Sequence, residues 1–253
     1  MTESSSIYGS HAVISALKQK RRNVLELFIQ KDREKTKHAA IIALAEDQGI
    51  PWKSVSAEEL DTLFFNCTHQ GVGAKVSELP KLVEKDLADY IQSLSPPYLF
   101  LILDGITDPH NLGACLRSGD AALVNAVILP KDNSASINST VSKVASGATE
   151  SVPIITVTNL ARCLTLLKAN NFWIYGAAGE AQETLWQMDF TGNIALVMGA
   201  EGKGLRRLTK EHCDKLFSIP MQGTVKSLNV SVATGISLFE VRRQNLANSK
   251  PNA

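Results

Sequence analysis

Six short apolar runs after residue 97 constrain the fold of this chain most strongly. They are YLFLILD (98–104), AVILP (126–130), PIITVT (153–158), FWIYGA (172–177), IALVMG (194–199) and KLFSIP (215–220). Segments with helical patterning lie between most of them. Near-continuous apolar runs that alternate with helices are typical of parallel strands buried on both faces. The sequence therefore predicts an α/β fold with a mostly parallel sheet.

The first 76 residues carry a different pattern, in which the elements are smaller. The spacing predicts a helix over 8–17, strands at VLELFIQ (24–30) and GVGAKV (71–76), and a helix over 34–48. SAEEL (56–60) has the form of a capping box, with Ser56 as N-cap and Glu59 three residues later. This region is therefore predicted to form a small mixed α/β unit.

These patterns divide the chain into four parts. We predict an N-terminal domain at 5–76, a linker at 77–97, a larger domain at 98–246 and a disordered tail at 247–253. The linker is charged, ends in two prolines and contains one helical stretch over 86–94.

The charge of the chain is small but uneven. A formal net charge of +1 gives no strong signal of a nucleic-acid binder. Residues 18–37, however, hold eight Lys and Arg against three Asp and Glu. Such a run is usually a solvated face, and the alternative is that Arg21, Arg22 and Lys35 contact RNA phosphates.

The cysteines and histidines do not indicate a metal site. Four cysteines lie far apart, and no histidine stands at metal-ligand spacing from a cysteine or carboxylate. The N-terminus lacks a signal peptide, and no apolar stretch approaches membrane-spanning length. We therefore expect a cytoplasmic protein with free thiols, no metal and no membrane contact.

Ligands of open parallel sheets bind at the carboxyl ends of the strands, so the loops there are expected to hold the functional residues. LVMGAEGKGL (196–205) places Gly199, Gly202 and Gly204 around Glu201. The order G-x-x-G-x-G is neither a dinucleotide fingerprint nor a P-loop, and a carboxylate would repel a phosphate. The loop alone is weak support for any ligand.

Two other loops hold unusual polar residues. In DPHNLGACLRSGD, Asn111 is a plausible N-cap and Arg117 follows six residues later. In TVKSLNVSVATGISLFE, Ser227 or Asn229 would cap an apolar helix, and capping accounts for only one of Ser227, Asn229 and Ser231. Each loop by itself is compatible with a purely structural role.

Together the three loops resemble a specific family. N-x-G-x-x-x-R (Asn111, Gly113, Arg117), MGAEGKGL and IPMQGTVKSLNVSVATGISLFE are similar, in order and spacing, to the signature motifs of the SpoU (TrmH-like) branch of the SPOUT RNA methyltransferases. YGSHAVISAL and HQGVGAKV resemble the ribosomal enzymes of that branch. The resemblance runs from about residue 7 to 244, nearly the whole chain.

This resemblance implies a function and a fold. The implied reaction is 2′-O-methylation of a guanosine ribose in the peptidyl-transferase region of 23S rRNA, free or in a large-subunit precursor, with S-adenosylmethionine as cofactor. It also implies that the C-terminal segment forms a deep trefoil knot, that the N-terminal unit is L30e-like and binds RNA, and that the enzyme is a homodimer.

The resemblance also assigns residues to the site. The implied catalytic residues are Asn111, Arg117, Glu201, Ser227 and Asn229. The implied cofactor-binding residues are Gly199, Gly202, Ile219, Met221, Leu228 and Ser231. Arg117 would activate the hydroxyl, either as a transient base or by holding a phosphate or the forming alkoxide. A guanidinium is a poor base, because its pKa stays above ~12.

Two other function classes are weighed against this one. A non-catalytic RNA-binding or assembly protein on the same scaffold would be favoured by loss of the motif Arg, Glu or Asn, and all three are present. A Rossmann-type enzyme needs G-x-G-x-x-G after the first strand of the larger domain, and DGITDPHNLG does not supply it.

Overall fold

The computed structural model describes residues 4–31, 37–64 and 68–248. Its strands are β1 (Ser4–Tyr8), β2 (Val24–Gln30), β3 (Trp52–Val55), β4 (Val72–Ser77), β5 (Leu82–Val83), β6 (Leu99–Asp104), β7 (Ala126–Pro130), β8 (Ile154–Val157), β9 (Trp173–Ala177), β10 (Ile194–Gly199) and β11 (Lys215–Phe217). Its α-helices are α1 (Ser10–Gln19), α2 (Ala39–Asp47), α3 (Ala57–Leu63), α4 (Leu87–Gln92), α5 (Pro109–Ala121), α6 (Ser139–Val144), α7 (Ala148–Ser151), α8 (Leu160–Ala169), α9 (Arg207–His212) and α10 (Val230–Asn248).

These elements form two compact units. The first lies within residues 1–80 and 146–151, and the second lies within 81–145 and 152–253. Each unit has its own sheet, and the two sheets differ in strand direction.

The first unit contains a mixed four-stranded sheet in the order β1-β4-β2-β3. β1 and β2 run antiparallel to β4, whereas β3 runs parallel to β2. The predicted strand at 24–30 and the predicted capping box are confirmed, since the Ser56 hydroxyl accepts from the Glu59 amide and Glu59 from the Ser56 amide. The unpredicted strand β1 has the serine-rich sequence SSSIY, and its pairing with β4 holds it extended.

The second unit contains seven parallel strands in the order β11-β9-β10-β6-β7-β8-β5. Each of the six predicted apolar runs contains a strand, so the predicted parallel sheet is confirmed. All six side chains of β6 are buried, as expected for a central strand covered on both faces.

The segment interpreted as a linker is partly folded into this second unit. β5 pairs with β8, and the side chains of Leu87 and Ile91 from α4 are buried in the core. The predicted helical stretch over 86–94 contains α4, so that part of the prediction is confirmed. The interpretation of 82–92 as a linker is wrong, because β5 pairs with the sheet and two apolar side chains one helical turn apart hold α4 on the core.

The C-terminal helix extends further than the predicted domain boundary at residue 246. α10 continues to Asn248, so 247 and 248 are helical rather than part of a tail, and 249–253 lie outside the described residues. Among the helices that the structure describes, none is both long and apolar enough to cross a bilayer.

Candidate active site

β6 and β10 are neighbours in the sheet, and their last residues, Asp104 and Gly199, lie opposite each other. Because the strands are parallel, the loops that follow them start side by side. This register places the first two sequence motifs at the same point of the sheet edge.

The loop after β10 closes on itself. Ala200 and Gly204 exchange backbone hydrogen bonds of 3.1 and 2.8 Å, and Gly202 and Gly204 have φ of +76° and +64°, which favour glycine. A Cβ on Gly199 would lie 2.2 Å from the carbonyl carbon of Gly204. Gly199 is therefore required by the loop's own backbone, which presents Glu201 at its tip.

Glu201 is held by two asparagines from different motifs. The Asn111 amide donates to Oε2 of Glu201 at 3.1 Å, and the Asn229 amide donates to Oε1 at 3.3 Å. The Asn229 amide also donates to Oδ1 of Asn111 at 2.9 Å. The structure thus joins one residue from each of the three motifs in a closed hydrogen-bonded triangle.

Asn111 is available for this triangle because it does not cap its helix. The N-cap of α5 is Asp108, whose carboxylate accepts from the backbone amides of His110 and Asn111, and Pro109 is the first helical residue. The prediction that Asn111 is the N-cap is wrong, since the Asp-Pro pair provides both a stronger acceptor and the preferred first residue.

Asn229 does cap its helix, as one of the two predicted alternatives. Its Oδ1 accepts from the Ser231 amide at 2.9 Å and from the Ser231 hydroxyl at 2.6 Å. The same side chain therefore starts α10 through its oxygen and joins the triangle through its nitrogen. Ser227 is exposed and hydrogen-bonds to no residue that the structure describes.

Arg117 lies on α5 apart from the triangle. It follows Asn111 by six residues, which is about 240° around the helix axis and about 9 Å along it. Its side chain is exposed and has no hydrogen bond or ion pair within the described chain. The structure therefore leaves Arg117 free to reach a bound substrate.

Three of the six predicted cofactor residues lie along the loop after β11, whereas Gly199 and Gly202 belong to the end of β10 and its loop, and Ser231 lies in α10. Ile219, Met221 and Leu228 are half-buried, and within the described residues the backbone groups of 219–228 make no hydrogen bond to other backbone groups. Partly buried apolar side chains beside free backbone donors and acceptors suit an adenosine group held mainly by the main chain. The residues present therefore fit S-adenosylmethionine.

A cavity of about 440 Å³ opens beside the triangle, between the loops that follow β6, β7 and β10. Asn111 and Glu201 line it. So do Arg206, which lies in a short basic run of the sequence that could contact phosphate, and Asp104 and Asn133, which no sequence motif indicated. The Asp104 carboxylate accepts from the backbone amide of Arg206 at 3.1 Å and from its Nε at 2.6 Å. The available sequence signal was a carboxylate that ends an otherwise apolar strand.

In the first unit, one of the three residues predicted to contact RNA is buried in an ion pair. Arg22 forms a two-pronged ion pair with Glu150, at 2.7 Å from Nε and 2.5 Å from a terminal nitrogen. Their side chains are only 7% and 3% exposed, so Arg22 is not a surface phosphate contact and that expectation is corrected. Arg21 donates to the Glu150 carbonyl at 3.4 Å, and Lys35 lies outside the described residues.

The three cysteines that the structure describes are not activated as nucleophiles. Cys115, Cys163 and Cys213 are free thiols, and burial raises the pKa of Cys115 to about 11 and that of the other two to about 12. Cys67 lies outside the described residues. Within the described residues, no three His, Cys, Asp or Glu side chains form a group that could hold a metal.

Comparison with known proteins identifies relatives for both units. Residues 98–239 match the SpoU rRNA Methylase family, and residues 6–82 match the family described as RNA 2'-O ribose methyltransferase substrate binding. The chain is 56% identical over 238 residues to the 23S rRNA (guanosine-2'-O-)-methyltransferases RlmB of Pectobacterium atrosepticum and of Escherichia coli K12. These alignments cover 94% of this chain and 97% and 98% of the relatives.

A solved structure shares the fold. The SpoU methyltransferase AviRb from Streptomyces viridochromogenes, in complex with the cofactor AdoMet, superposes with a TM-score of 0.78 at 22% identity. The superposition covers 96% of this chain and 91% of AviRb.

Proposed function

The chain belongs to the SpoU rRNA methylase family, as its motifs predict, and on this premise we propose that it methylates the 2′-hydroxyl of a guanosine ribose in 23S rRNA with S-adenosylmethionine. The proposed target lies in the peptidyl-transferase region, free or in a large-subunit precursor, where the modification contributes to ribosome maturation in the cytoplasm. The high identity over almost the full length of both relatives supports the rRNA substrate and the guanosine.

The triangle of Asn111, Glu201 and Asn229 is the observation that carries the proposal. Residues from three distant motifs meet at the carboxyl edge of the parallel sheet, beside a cavity large enough for a small ligand. A carboxylate held by two neutral amides has a fixed direction and no cation among those partners. Such a group orients a hydroxyl or faces a cation, and both tasks occur in methyl transfer from a sulfonium.

The chemistry divides between the cofactor and the chain. When bound, S-adenosylmethionine would supply a sulfonium methyl group for transfer to the ribose oxygen and would leave as a neutral thioether. Asn111, Glu201 and Asn229 shape the place where the ribose oxygen lies in line with that methyl group. Arg117 acts on the hydroxyl proton, either by accepting it or by stabilising the oxygen anion as the proton leaves.

The cofactor residues complete the proposed site. Ile219, Met221 and Leu228 would contact the adenosine, and Gly199, Gly202 and Ser231 would hold the remaining part of the cofactor. A side chain at position 199 would collide with the backbone of the same loop, so the loop requires glycine there whether or not the cofactor is bound. Any contact between Gly199 and the cofactor would therefore be an additional role for this backbone.

We extend the proposal to RNA capture by the first unit, which the family match of residues 6–82 supports. Of the residues predicted for this task, Arg21 and Lys35 remain candidates. A combined R21Q/K35Q variant should bind rRNA with a shallower salt dependence, by about one unit per lost phosphate contact. An unchanged slope would leave these residues as a solvated face.

The proposed homodimer would cover an apolar stripe on α10. Val232, Phe239 and Leu246 are large, exposed and spaced seven residues apart, so they lie on one face of the helix. Replacing Phe239 by Glu should convert the dimer to a monomer in analytical ultracentrifugation. A wild-type chain that sediments as a monomer would contradict the dimer.

The finer features of the fold belong to the same proposal. The family likeness supports a trefoil knot in the C-terminal segment and an L30e-like first unit. After β11 at the edge of the sheet, the chain returns to Asn229 at the ends of β6 and β10, which is compatible with threading. An experimental structure traced through 218–230 would decide the knot.

Methylation of defined transcripts tests the proposed function. The purified protein, incubated with labelled S-adenosylmethionine and unmodified 23S rRNA, should transfer one methyl group to a guanosine 2′-oxygen, located by resistance of that linkage to alkaline hydrolysis. E201Q and N229A should lose this activity while the protein remains folded. Binding of rRNA without any methyl transfer would favour the assembly-protein alternative, and binding of NAD instead of S-adenosylmethionine would favour the Rossmann alternative.

A further inference from the structure

The buried carboxylate of Asp104 has an unusual partner. Its side chain is fully buried, whereas the side chain of Arg206, which it binds, is 49% exposed. The backbone amide and Nε of Arg206 donate to the Asp104 carboxylate, and one terminal nitrogen, Nη2, lies 2.6 Å from Oδ1 of Asp104. Burying a carboxylate is unfavourable, and here the compensation fixes the direction of a cation whose other side faces solvent.

Arg206 also lines the cavity beside the triangle. Its second terminal nitrogen, Nη1, donates to no residue that the structure describes. A guanidinium offers its N–H groups in a planar fork that matches the oxygens of phosphate and carboxylate. A cation held in one direction before the ligand arrives loses less entropy on binding it.

Proposed catalytic residues, rather than proposed cofactor residues, line the cavity. Asn111 and Glu201 line it, whereas none of the six predicted cofactor residues does. Lys203 adds a second exposed cation to the same wall. An anionic ligand entering this cavity therefore contacts two of the proposed catalytic residues, Asn111 and Glu201.

We propose that Arg206 binds a phosphate oxygen of the RNA next to the target ribose, and that Asp104 is the positioning residue that aims it. This inference rests on the proposed function, since it takes the ligand of the cavity to be RNA. It also separates two tasks that the sequence left together at Arg117: with a phosphate held by Arg206, Arg117 is left to act on the hydroxyl.

The test compares adjacent arginines. Arg207 is 81% exposed, pairs with Glu211 on the helix surface and does not line the cavity, so R207Q is the matched control for R206Q. Affinity for an unmodified 23S rRNA transcript is measured over a series of KCl concentrations, with affinity for S-adenosylmethionine measured separately by calorimetry. Near-ultraviolet circular dichroism checks that each variant is folded.

R206Q should weaken rRNA binding roughly tenfold, the effect of losing one charge-assisted hydrogen bond, and reduce the salt slope by about one unit. R207Q should change neither the rRNA affinity nor the salt slope. The affinity for S-adenosylmethionine should stay unchanged in R206Q and in R207Q. R206K should keep the salt slope but bind rRNA more weakly, because it keeps the charge and loses the fork. D104N should raise KM for rRNA more than it lowers kcat, a split that general loss of structure would not produce.

Each alternative result has a definite meaning. R206Q with the rRNA affinity and salt slope of R207Q would overturn the inference while methylation by the wild type still supports the proposed function. A loss of cofactor affinity alone would assign Arg206 to the carboxylate of S-adenosylmethionine and overturn the inference as well. If R206Q does not fold, R206K is the deciding variant. An R206K protein that binds rRNA with the wild-type affinity would overturn the inference. A wild type that binds rRNA without methylating it contradicts the proposed function only, whereas one that does not bind rRNA contradicts both.

Discussion

Two arginine–carboxylate pairs, one in each unit, differ in how far the arginine is exposed. Arg22 and Glu150 are both almost fully buried, and Arg22 also donates to the Ser5 hydroxyl and the Ser77 carbonyl. In the second unit Asp104 is equally buried, but Arg206 is half-exposed on a cavity wall. An ion pair in which both side chains are buried stabilises the fold. An ion pair in which the arginine is exposed leaves an oriented cation that a ligand can reach. The local charge pattern does not distinguish them.

The largest effect is expected from breaking the closed pair. R22A or E150Q should lower the free energy of unfolding by about 3–5 kcal/mol, because each leaves a buried group without its partner. The double replacement R22M/E150L should recover most of this loss, since it removes both charges together. Urea denaturation followed by fluorescence gives the values. If the single variants lose less than about 1 kcal/mol of unfolding free energy, the Arg22–Glu150 pair stabilises the protein no more than a surface pair does. The proposed difference between the buried pair and the exposed pair would then be wrong.

Arg117 extends the comparison to an arginine with no partner among the described residues. R117A should keep cofactor affinity and stability and lower kcat by roughly a hundredfold or more, the usual contribution of a general acid or base. In R117K, a residual rate that climbs with pH toward the lysine pKa would indicate a base at this position. A low, pH-independent rate would indicate a purely electrostatic role, and full activity of R117A would remove this residue from the mechanism.

The smallest effect is expected from the ion pair of Arg162 and Glu84, whose arginine is 66% exposed. The hydrogen bond from Arg162, with further hydrogen bonds from Thr158 and Asn159, lowers the pKa of Glu84 from 4.5 to about 2. Since the folded-state pKa is the lower one, the stabilisation is complete above about pH 4.5 and is lost as the pH falls through about 2. E84Q should lower Tm by roughly 2 °C at neutral pH and flatten its decline below pH 4.5. Melting curves that keep the same acid dependence in E84Q would contradict this assignment.

The sequence could predict the strands of the second unit because burial on both faces leaves a continuous apolar run, as in Ile194–Gly199. It could also place the three motifs at one edge, because the loops that follow parallel strands share that edge. The sequence did not predict β1, because its serines have no strand propensity of their own and the strand depends on pairing with β4.

The partners of the arginines could not be predicted in the same way. Arg22 meets Glu150 across 128 positions, and Arg206 meets Asp104 across 102. Such pairs depend on which strands and helices become neighbours, and composition does not carry that information. The basic stretch therefore suggested a surface contact at Arg22, where the fold has a buried ion pair.

The double role of Asn229 has a consequence for the order of folding. Its amide reaches Asn111 across 118 positions, while its oxygen starts the first turn of α10. Contacts between residues so far apart in the chain form late, because the long intervening loop must close first. During refolding, helical circular dichroism should therefore return before methyl transfer does. The enzyme's activity would then report the last step of assembly, and partly folded chains would be unable to modify RNA.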